Sequence, residues 1–188
     1  EAEFDAERWY GIFAADMEHQ REACSSTARA MLEDRDPQNA SYVLDLGLRF
    51  HPADPVLLEL KGIALARLGF GRAAADCFER VVVLQPDRAP AWAELGRARM
   101  QLGLEMAAAR AFKSALDLEP DNAGVWIELG RARARGSDPQ GALAAYAAGF
   151  GRETDASADL IEAAEQCALP AVKTERTEYL ELGLGWLG

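Results

Sequence analysis

The residues best suited to molecular recognition are charged side chains that recur on one side of predicted helices. In one stretch, intervals of three and four residues place three such side chains on the same side of a helix: Glu94, Arg97 and Gln101. The same order returns 34 residues later with Glu128, Arg131 and Arg135. A planar guanidinium group can bind both oxygens of a carboxylate, so such a surface could hold an acidic peptide or a chain's terminal carboxylate.

The same arginines and glutamates also allow a simpler interpretation. Glu94 with Arg97, and Glu128 with Arg131, are i,i+3 neighbours on a helix. Such pairs on a solvated face stabilise the helix by about a few tenths of a kcal/mol each and need no ligand. The two interpretations are compatible, because a ligand can replace a glutamate as the partner of an arginine.

Few other residues offer chemistry. The chain has three widely separated cysteines and two histidines, too few for a disulfide scaffold, a zinc site or most catalytic triads. The stretch from Gly69 to Ala74 fits the dinucleotide pattern G-x-G-x-x-A, but it follows a predicted helix rather than a strand. No metalloprotease, serine-hydrolase or phosphate-loop motif is present. We therefore predict no catalytic residues, no metal ligands and no cofactor.

Composition excludes further classes of function. The 31 acidic and 20 basic residues give a formal net charge of −11, which argues against a nucleic-acid partner because phosphate backbones attract clustered positive charge. No run of 18 apolar residues predicts a membrane span. The compartment stays open between the cytoplasm and a bacterial cell envelope or periplasm. The cysteines show no disulfide pattern, whereas residues 1–4 resemble the remnant of a secretion leader and a cloning site.

The helices that carry the charged residues belong to an internal repeat. Five columns keep a step of 34 residues: Leu58, Trp92 and Trp126; Gly62, Gly96 and Gly130; Ala74, Ala108 and Ala142; Phe78, Phe112 and Tyr146; Pro52, Pro86 and Pro120. In residues 89–122 the apolar spacing predicts a helix over 89–102, stopped by Gly103, and a second over 105–118. The small columns predict two closely crossing helices in each unit, and the large ones fill the space between units.

These columns resemble the tetratricopeptide repeat, whose pattern is W-x₂-L-G-x₂-Y, then A-x₃-F, then P. Residues 89–122 match it at Trp92, Leu95, Gly96, Ala108, Phe112 and Pro120. Residues 55–88 and 123–156 match most of the same positions, and residues 21–54 are a degenerate copy. The tyrosine position departs from the pattern and holds Leu65, Arg99 and Arg133. The contact that tyrosine makes must therefore be remade by the arginine stems or lost.

The resemblance implies an all-α fold, a right-handed solenoid of stacked antiparallel helix pairs whose first helices line a concave groove. The partner-binding residues that it implies are Arg29, Leu60, Ile63, Arg67, Glu94, Arg97, Met100, Gln101, Glu128, Arg131 and Arg135. The apolar members would supply contact area and the arginines would orient the partner. Relatives that bind chaperones use a clamp of lysine and asparagine. The matching positions here contain no asparagine: Ser25, Arg29, Leu60, Pro90 and Glu94.

The two ends are predicted to cap the array. Residues 5–20 have a helix-spaced apolar face, and residues 157–188 are predicted to form two capping helices followed by an apolar, glycine-rich tail. Terminal units of a stacked array need a polar outer face, and both ends are acidic. The tail could fold back on the last helix, contact a second copy in a homo-oligomer, or stay without fixed structure.

The expected function is that of a non-catalytic scaffold that binds a peptide segment or a partner protein. Because arginines line the predicted groove, an acidic partner is expected to bind best. Affinity for a short peptide is expected to be on the order of micromolar, because the peptide must be ordered when it binds. Two alternatives stay open. The chain could be a structural scaffold that assembles through its ends, or a regulatory segment of a larger enzyme. A small-molecule sensor has no sequence feature in its favour.

Overall fold

Helices account for the regular structure of the described chain. The computed structural model describes the backbone of residues 6–150 and the side chains of residues 17–149. The helices are α1 (Ala6–Glu33), α2 (Pro37–Phe50), α3 (Pro55–Arg67), α4 (Gly71–Leu84), α5 (Ala89–Gln101), α6 (Glu105–Leu118), α7 (Ala123–Arg135) and α8 (Pro139–Phe150). Residues 6–150 contain no strand. The predicted all-α class of helical repeat is confirmed, and the right-handed sense stays a prediction.

The chain divides into two compact units. Unit 1 comprises residues 1–86 with helices α1–α4, and unit 2 begins at Asp87 and contains α5–α8. Within each unit, every helix packs against the next one along the chain. Pairing of this kind follows from the short turns between the helices, which force neighbours to run antiparallel.

Local signals in the sequence define where the helices begin and end. The carboxylate of Asp54 accepts a hydrogen bond from the backbone N–H of Leu57 at 2.8 Å and caps α3. Asn122 caps α7 in the same way through the N–H of Val125. Gly103 follows α5 with a φ of 69°, a left-handed conformation that costs other residues more. The predicted stop at Gly103 and the predicted helix over 105–118 are confirmed.

The glycine column lies against the aromatic column of the same helix pair. A Cβ atom added at Gly96 would lie 2.5 Å from a ring carbon of Phe112, and one at Gly130 would lie 2.4 Å from the ring of Tyr146. Gly62 meets Phe78 in the same way. In α3, α5 and α7 this position therefore needs a residue without a side chain, so that the ring from the second helix of the pair fits against the backbone.

One continuous helix spans the predicted N-terminal boundary. α1 runs without a break from Ala6 to Glu33 and so joins the residues predicted as a cap, 5–20, to the first helix of the degenerate repeat predicted over 21–54. The reason is local: no glycine or proline interrupts residues 12–36, and the stretch around residue 20 is rich in helix formers. Residues 1–4 and the predicted caps and tail over 157–188 lie outside the described residues.

Candidate functional site

A cavity of about 270 Å³ in unit 2 brings most of the predicted recognition residues together. Its lining residues are Arg97, Met100, Gln101, Phe112, Glu128, Arg131 and Arg135. Positions one repeat apart line the same space: Arg97 on α5 with Arg131 on α7, and Gln101 with Arg135. The first helices of these two repeats therefore run along the cavity in the same direction. The cavity has an apolar floor and charged walls, a combination typical of recognition sites for short segments.

Arg97 joins α5 to α7 across this cavity. Its Nε donates to both carboxylate oxygens of Glu128, at 2.8 and 3.1 Å, and its Nη1 donates to Glu94 at 2.5 Å. Partial burial lowers the pKa of Arg97, but the hydrogen bond and charge of Glu128, helped by Glu94, outweigh it and leave the pKa above its ordinary value. The guanidinium therefore stays charged and is held by two glutamates when no ligand is bound.

The charged residues pair both within one helix and between successive repeats. Glu94 and Arg97 form the i,i+3 pair that the spacing predicts. Glu128, however, bonds to Arg97 in the preceding repeat, 31 residues away. Arg97 therefore ties two repeats together, while Arg131 is half-buried and Arg135 is exposed at the cavity's edge.

The arginines in the tyrosine column position the helices behind the site. Arg99 on α5 donates to the backbone oxygen of Ala107 on α6 at 3.2 Å, and Arg133 on α7 donates to the oxygen of Gly141 on α8 at 3.0 Å. Each contact spans eight residues and links the two helices of one pair. At these two positions a long guanidinium side chain therefore reaches a carbonyl of the neighbouring helix.

The predicted recognition residues of unit 1 have separate surroundings. Leu60 is 8% exposed and belongs to the core, and Ile63 packs against the same core. Arg29 is exposed on α1. Arg67 lines another cavity, of about 480 Å³, beside Leu32, whose backbone oxygen accepts a hydrogen bond from its guanidinium.

Sequence reasoning assigned Phe112 to packing, yet it also lines the cavity. It is 1% exposed and lies in the core of unit 2, with one edge bordering the open space. The sequence pattern, which places Phe112 in the aromatic column opposite Gly96, gives no indication that this residue also lines the cavity. Glu94, in contrast, lies beside the cavity and acts through Arg97.

The cysteines with described side chains do not form a reactive site. Cys24 and Cys77 are free thiols. Burial raises the pKa of the Cys77 thiol against the opposing charges of Lys61 and Arg80, so less of it is the nucleophilic thiolate at neutral pH. Among the side chains that the structure describes, no cluster of three potential metal ligands occurs. No helix in residues 6–150 is both long and apolar enough to pass through a bilayer.

Repeated helix pairs, of which α3–α4, α5–α6 and α7–α8 each pack a glycine against an aromatic ring, define a helical-repeat protein. Models of the tetratricopeptide repeat match the chain over residues 60–105 and over residues 89–132. Residues 60–132 therefore carry tetratricopeptide repeats, as the columns of the sequence indicated. No curated protein sequence matches it.

Solved structures of other repeat proteins share this fold. MamA residues 41 to the end, from Desulfovibrio magneticus RS-1, superposes with a TM-score of 0.75 at 18% identity and covers 89% of this chain and 94% of its own. YrrB, described as a TPR protein with an unusual peptide-binding site, gives 0.71 at 15% identity, over 87% and 84%. The first TPR of Spaghetti (RPAP3) bound to the HSP90 peptide SRMEEVD gives 0.61 at 21%, over 63% and 94%. Identities this low show a common fold alone.

Proposed function

We propose that this protein is a non-catalytic interaction module and that the cavity between α5 and α7 binds an acidic segment of a peptide or partner protein. The observation that carries this proposal is the union in one cavity of an apolar side chain, that of half-buried Met100, with the guanidinium groups of Arg131 and Arg135. Apolar area supplies affinity, and fixed charges set the register and orientation of a bound segment.

The division of labour among the arginines follows from their partners. Arg97 is already bonded to two glutamates, so a ligand carboxylate would have to displace one of them. Arg135 is exposed at the end of α7 and lines the cavity, which makes it the first contact for a carboxylate entering from solvent. The bound segment therefore places its acidic group toward residues 131–135 and an adjacent apolar side chain over Met100.

Two structural relatives support peptide binding as a use of this fold. YrrB is a TPR protein with an unusual peptide-binding site, and the first TPR of Spaghetti binds an HSP90 peptide. We do not propose the HSP90 peptide as a ligand of this chain, because positions 25, 29, 60, 90 and 94 of the chain lack the asparagine of the chaperone clamp. The partner proposed here is defined by its acidic and apolar chemistry.

The test uses two end-capped peptides, Asp-Leu-Asp-Leu-Asp and Asn-Leu-Asn-Leu-Asn, titrated by calorimetry. We expect the acidic peptide to bind more tightly, and its affinity to fall when salt is doubled from about 0.15 M because exposed charges are screened. Arg135→Glu should weaken its binding by about tenfold, since an attraction becomes a repulsion.

The matched control is Arg110→Glu, which makes the same charge change at an exposed position of α6 outside the cavity. It should leave the affinity within about twofold of the original. Equal losses in the two variants would assign the effect to net charge and remove this cavity as the binding site. Equal binding of the two peptides would remove the acidic preference.

A further inference from the structure

Helix α2 in unit 1 carries a stripe of exposed apolar side chains. Tyr42 is 66% exposed, Leu46 is 37% exposed and Phe50 is 58% exposed. The three are four residues apart, so they follow one another along the same side of the helix. Single exposed apolar residues are common on protein surfaces, but a row of them on one helix face indicates an interaction surface.

The stripe belongs to α2 and is not a requirement of the repeat. The positions one and two repeats later are Asp76, Arg80 and Leu84 on α4, and Arg110, Ser114 and Leu118 on α6. The first two positions of the stripe are therefore polar or charged in these two helices, although the helices pack in the same kind of pair. Packing within the repeat does not explain why α2 is apolar there, so a contact outside the helix pair is the better explanation.

Two opposite charges flank the stripe on one side, beside a cavity of about 480 Å³. The side chains that line this cavity are Tyr42, Asp45, Leu46, Leu48 and Arg49. One carboxylate oxygen of Asp45 accepts a hydrogen bond from Nζ of Lys61 on α3 at 2.7 Å, while most of the Asp45 side chain stays exposed. Arg49 is exposed and has no ion-pair partner among the side chains that the structure describes.

The stripe fits a second copy of itself when two α2 helices pack antiparallel. With a two-fold axis perpendicular to both helices at the height of residue 47, the side chains alternate along the contact at intervals of about 3 Å. Their order is Tyr42, Phe50 of the second copy, Leu46, Leu46 of the second copy, Phe50, and Tyr42 of the second copy. Each side chain therefore enters the gap between two side chains of the other copy, as ridges pack into grooves.

The same symmetry pairs the flanking charges. An axis perpendicular to both helices brings the same flank of each copy together and places Arg49 at the height of Asp45 of the second copy. Asp45 has one oxygen bonded to Lys61 and a second oxygen to offer to the arginine. In a parallel pair Arg49 would face its own equivalent instead, so the charges favour the antiparallel arrangement.

We propose that two copies of this chain associate through this face of α2, in an antiparallel contact of Tyr42, Leu46 and Phe50 with two Asp45–Arg49 ion pairs. A contact in which each copy uses the same surface is the usual form of a two-fold dimer. It uses none of the residues that line the cavity in unit 2, and it does not depend on the proposed peptide binding.

The size of the surface sets the strength of the dimer. The three apolar side chains expose about 300 Å² per copy, if a whole aromatic side chain counts for about 200 Å². A standard interface buries about 800 Å² on each partner. The dimer is therefore in reversible equilibrium with the monomer, with a dissociation constant on the order of 100 μM.

The first experiment is sedimentation equilibrium of the 188-residue chain at concentrations from about 5 to 500 μM. The average mass should rise toward twice that of the monomer. Leu46→Asp brings two carboxylates together beside the axis and should weaken the dimer at least about tenfold. The matched control is Met106→Asp, at an exposed apolar position of α6 in unit 2, which should leave the dissociation constant within about twofold.

A charge exchange tests the antiparallel pairing. Arg49→Asp places carboxylates opposite each other in the dimer, and Asp45→Arg places guanidinium groups opposite each other, so each variant alone should dimerise about tenfold more weakly. In an equal mixture of the two variants every carboxylate faces a guanidinium group, and association should return. Asp45→Arg also removes an acceptor of Lys61, so thermal unfolding verifies that it is folded. If it is not, Arg49→Asp compared with Met106→Asp still tests the charge contact.

Three results would overturn the proposal. A chain that stays monomeric at about 500 μM has no such dimer, and the stripe is then left for a different partner. A dimer that Leu46→Asp does not weaken forms elsewhere on the chain, for example through the C-terminal residues. A mixture of the two charge variants that associates no better than either alone excludes the antiparallel pairing. None of these results bears on peptide binding in unit 2, which its own titrations test.

Discussion

At the scale of single residues, the closest constraint is the contact of glycine with an aromatic ring. Gly96→Ala would place a methyl group 2.5 Å from the ring of Phe112, which is buried and has little room to move. Overpacking of this kind costs about 1–3 kcal/mol, and the better helix propensity of alanine returns about 1 kcal/mol at most. We expect a net loss of up to about 2 kcal/mol in the free energy of unfolding, measured by urea denaturation.

A second glycine provides the matched control. Gly124 on α7 is exposed, and the nearest atom to a Cβ added there is 3.6 Å away. Gly124→Ala should therefore leave stability unchanged or raise it by up to about 0.5 kcal/mol, because the unfolded chain loses freedom without a clash. If Gly96→Ala were as harmless as Gly124→Ala, the tight contact would not be what keeps this column free of side chains.

At the scale of elements, Asp54 combines two functions at the start of α3. One carboxylate oxygen caps the helix through Leu57, and the other accepts from Arg21 on α1 at 3.2 Å. Asp54→Ala loses both contacts and should cost about 1–2 kcal/mol. Asp54→Asn keeps an oxygen for the cap but removes the charge, so it should cost about 0.5 kcal/mol.

Urea denaturation of both variants measures the separate contributions of the helix cap and of the contact with Arg21. Asp34→Ala, at an exposed position, is the control. Equal losses for the alanine and asparagine variants would show that the contact to Arg21, rather than the cap, dominates. The comparison also measures how strongly the contact from Arg21 holds α1 to the turn before α3.

The elements also show why some features followed from the sequence and others did not. The end of α5 at Gly103 and the start of α6 followed from local signals within a few residues. The Glu94–Arg97 pair followed from helix geometry alone. The bond from Arg97 to Glu128 could not be derived, because it depends on how far apart α5 and α7 lie. The boundary predicted at residue 21 came from the repeat step alone, and no local breaker interrupts α1 there.

At the scale of the whole molecule, the net charge of −11 acts against the site proposed here. The chain as a whole repels an acidic peptide, while Arg131 and Arg135 attract it locally. Whether the repulsion or the local attraction dominates depends on the screening length. This length is about 30 Å at 0.01 M salt, about 10 Å at 0.1 M and about 3 Å at 1 M. At the lowest salt the long-range repulsion extends across the molecule.

The association rate of Asp-Leu-Asp-Leu-Asp should therefore pass through a maximum as salt increases. From about 0.01 M to 0.1 M, screening removes the long-range repulsion and should raise the rate by about two- to threefold. Above that concentration the local attraction is also screened and the rate falls. Stopped-flow fluorescence at a series of salt concentrations measures this, with the asparagine peptide as the uncharged control. A rate that falls steadily from the lowest salt would mean that the arginines dominate at every distance, and that the acidic remainder of the chain has no influence on which partners approach.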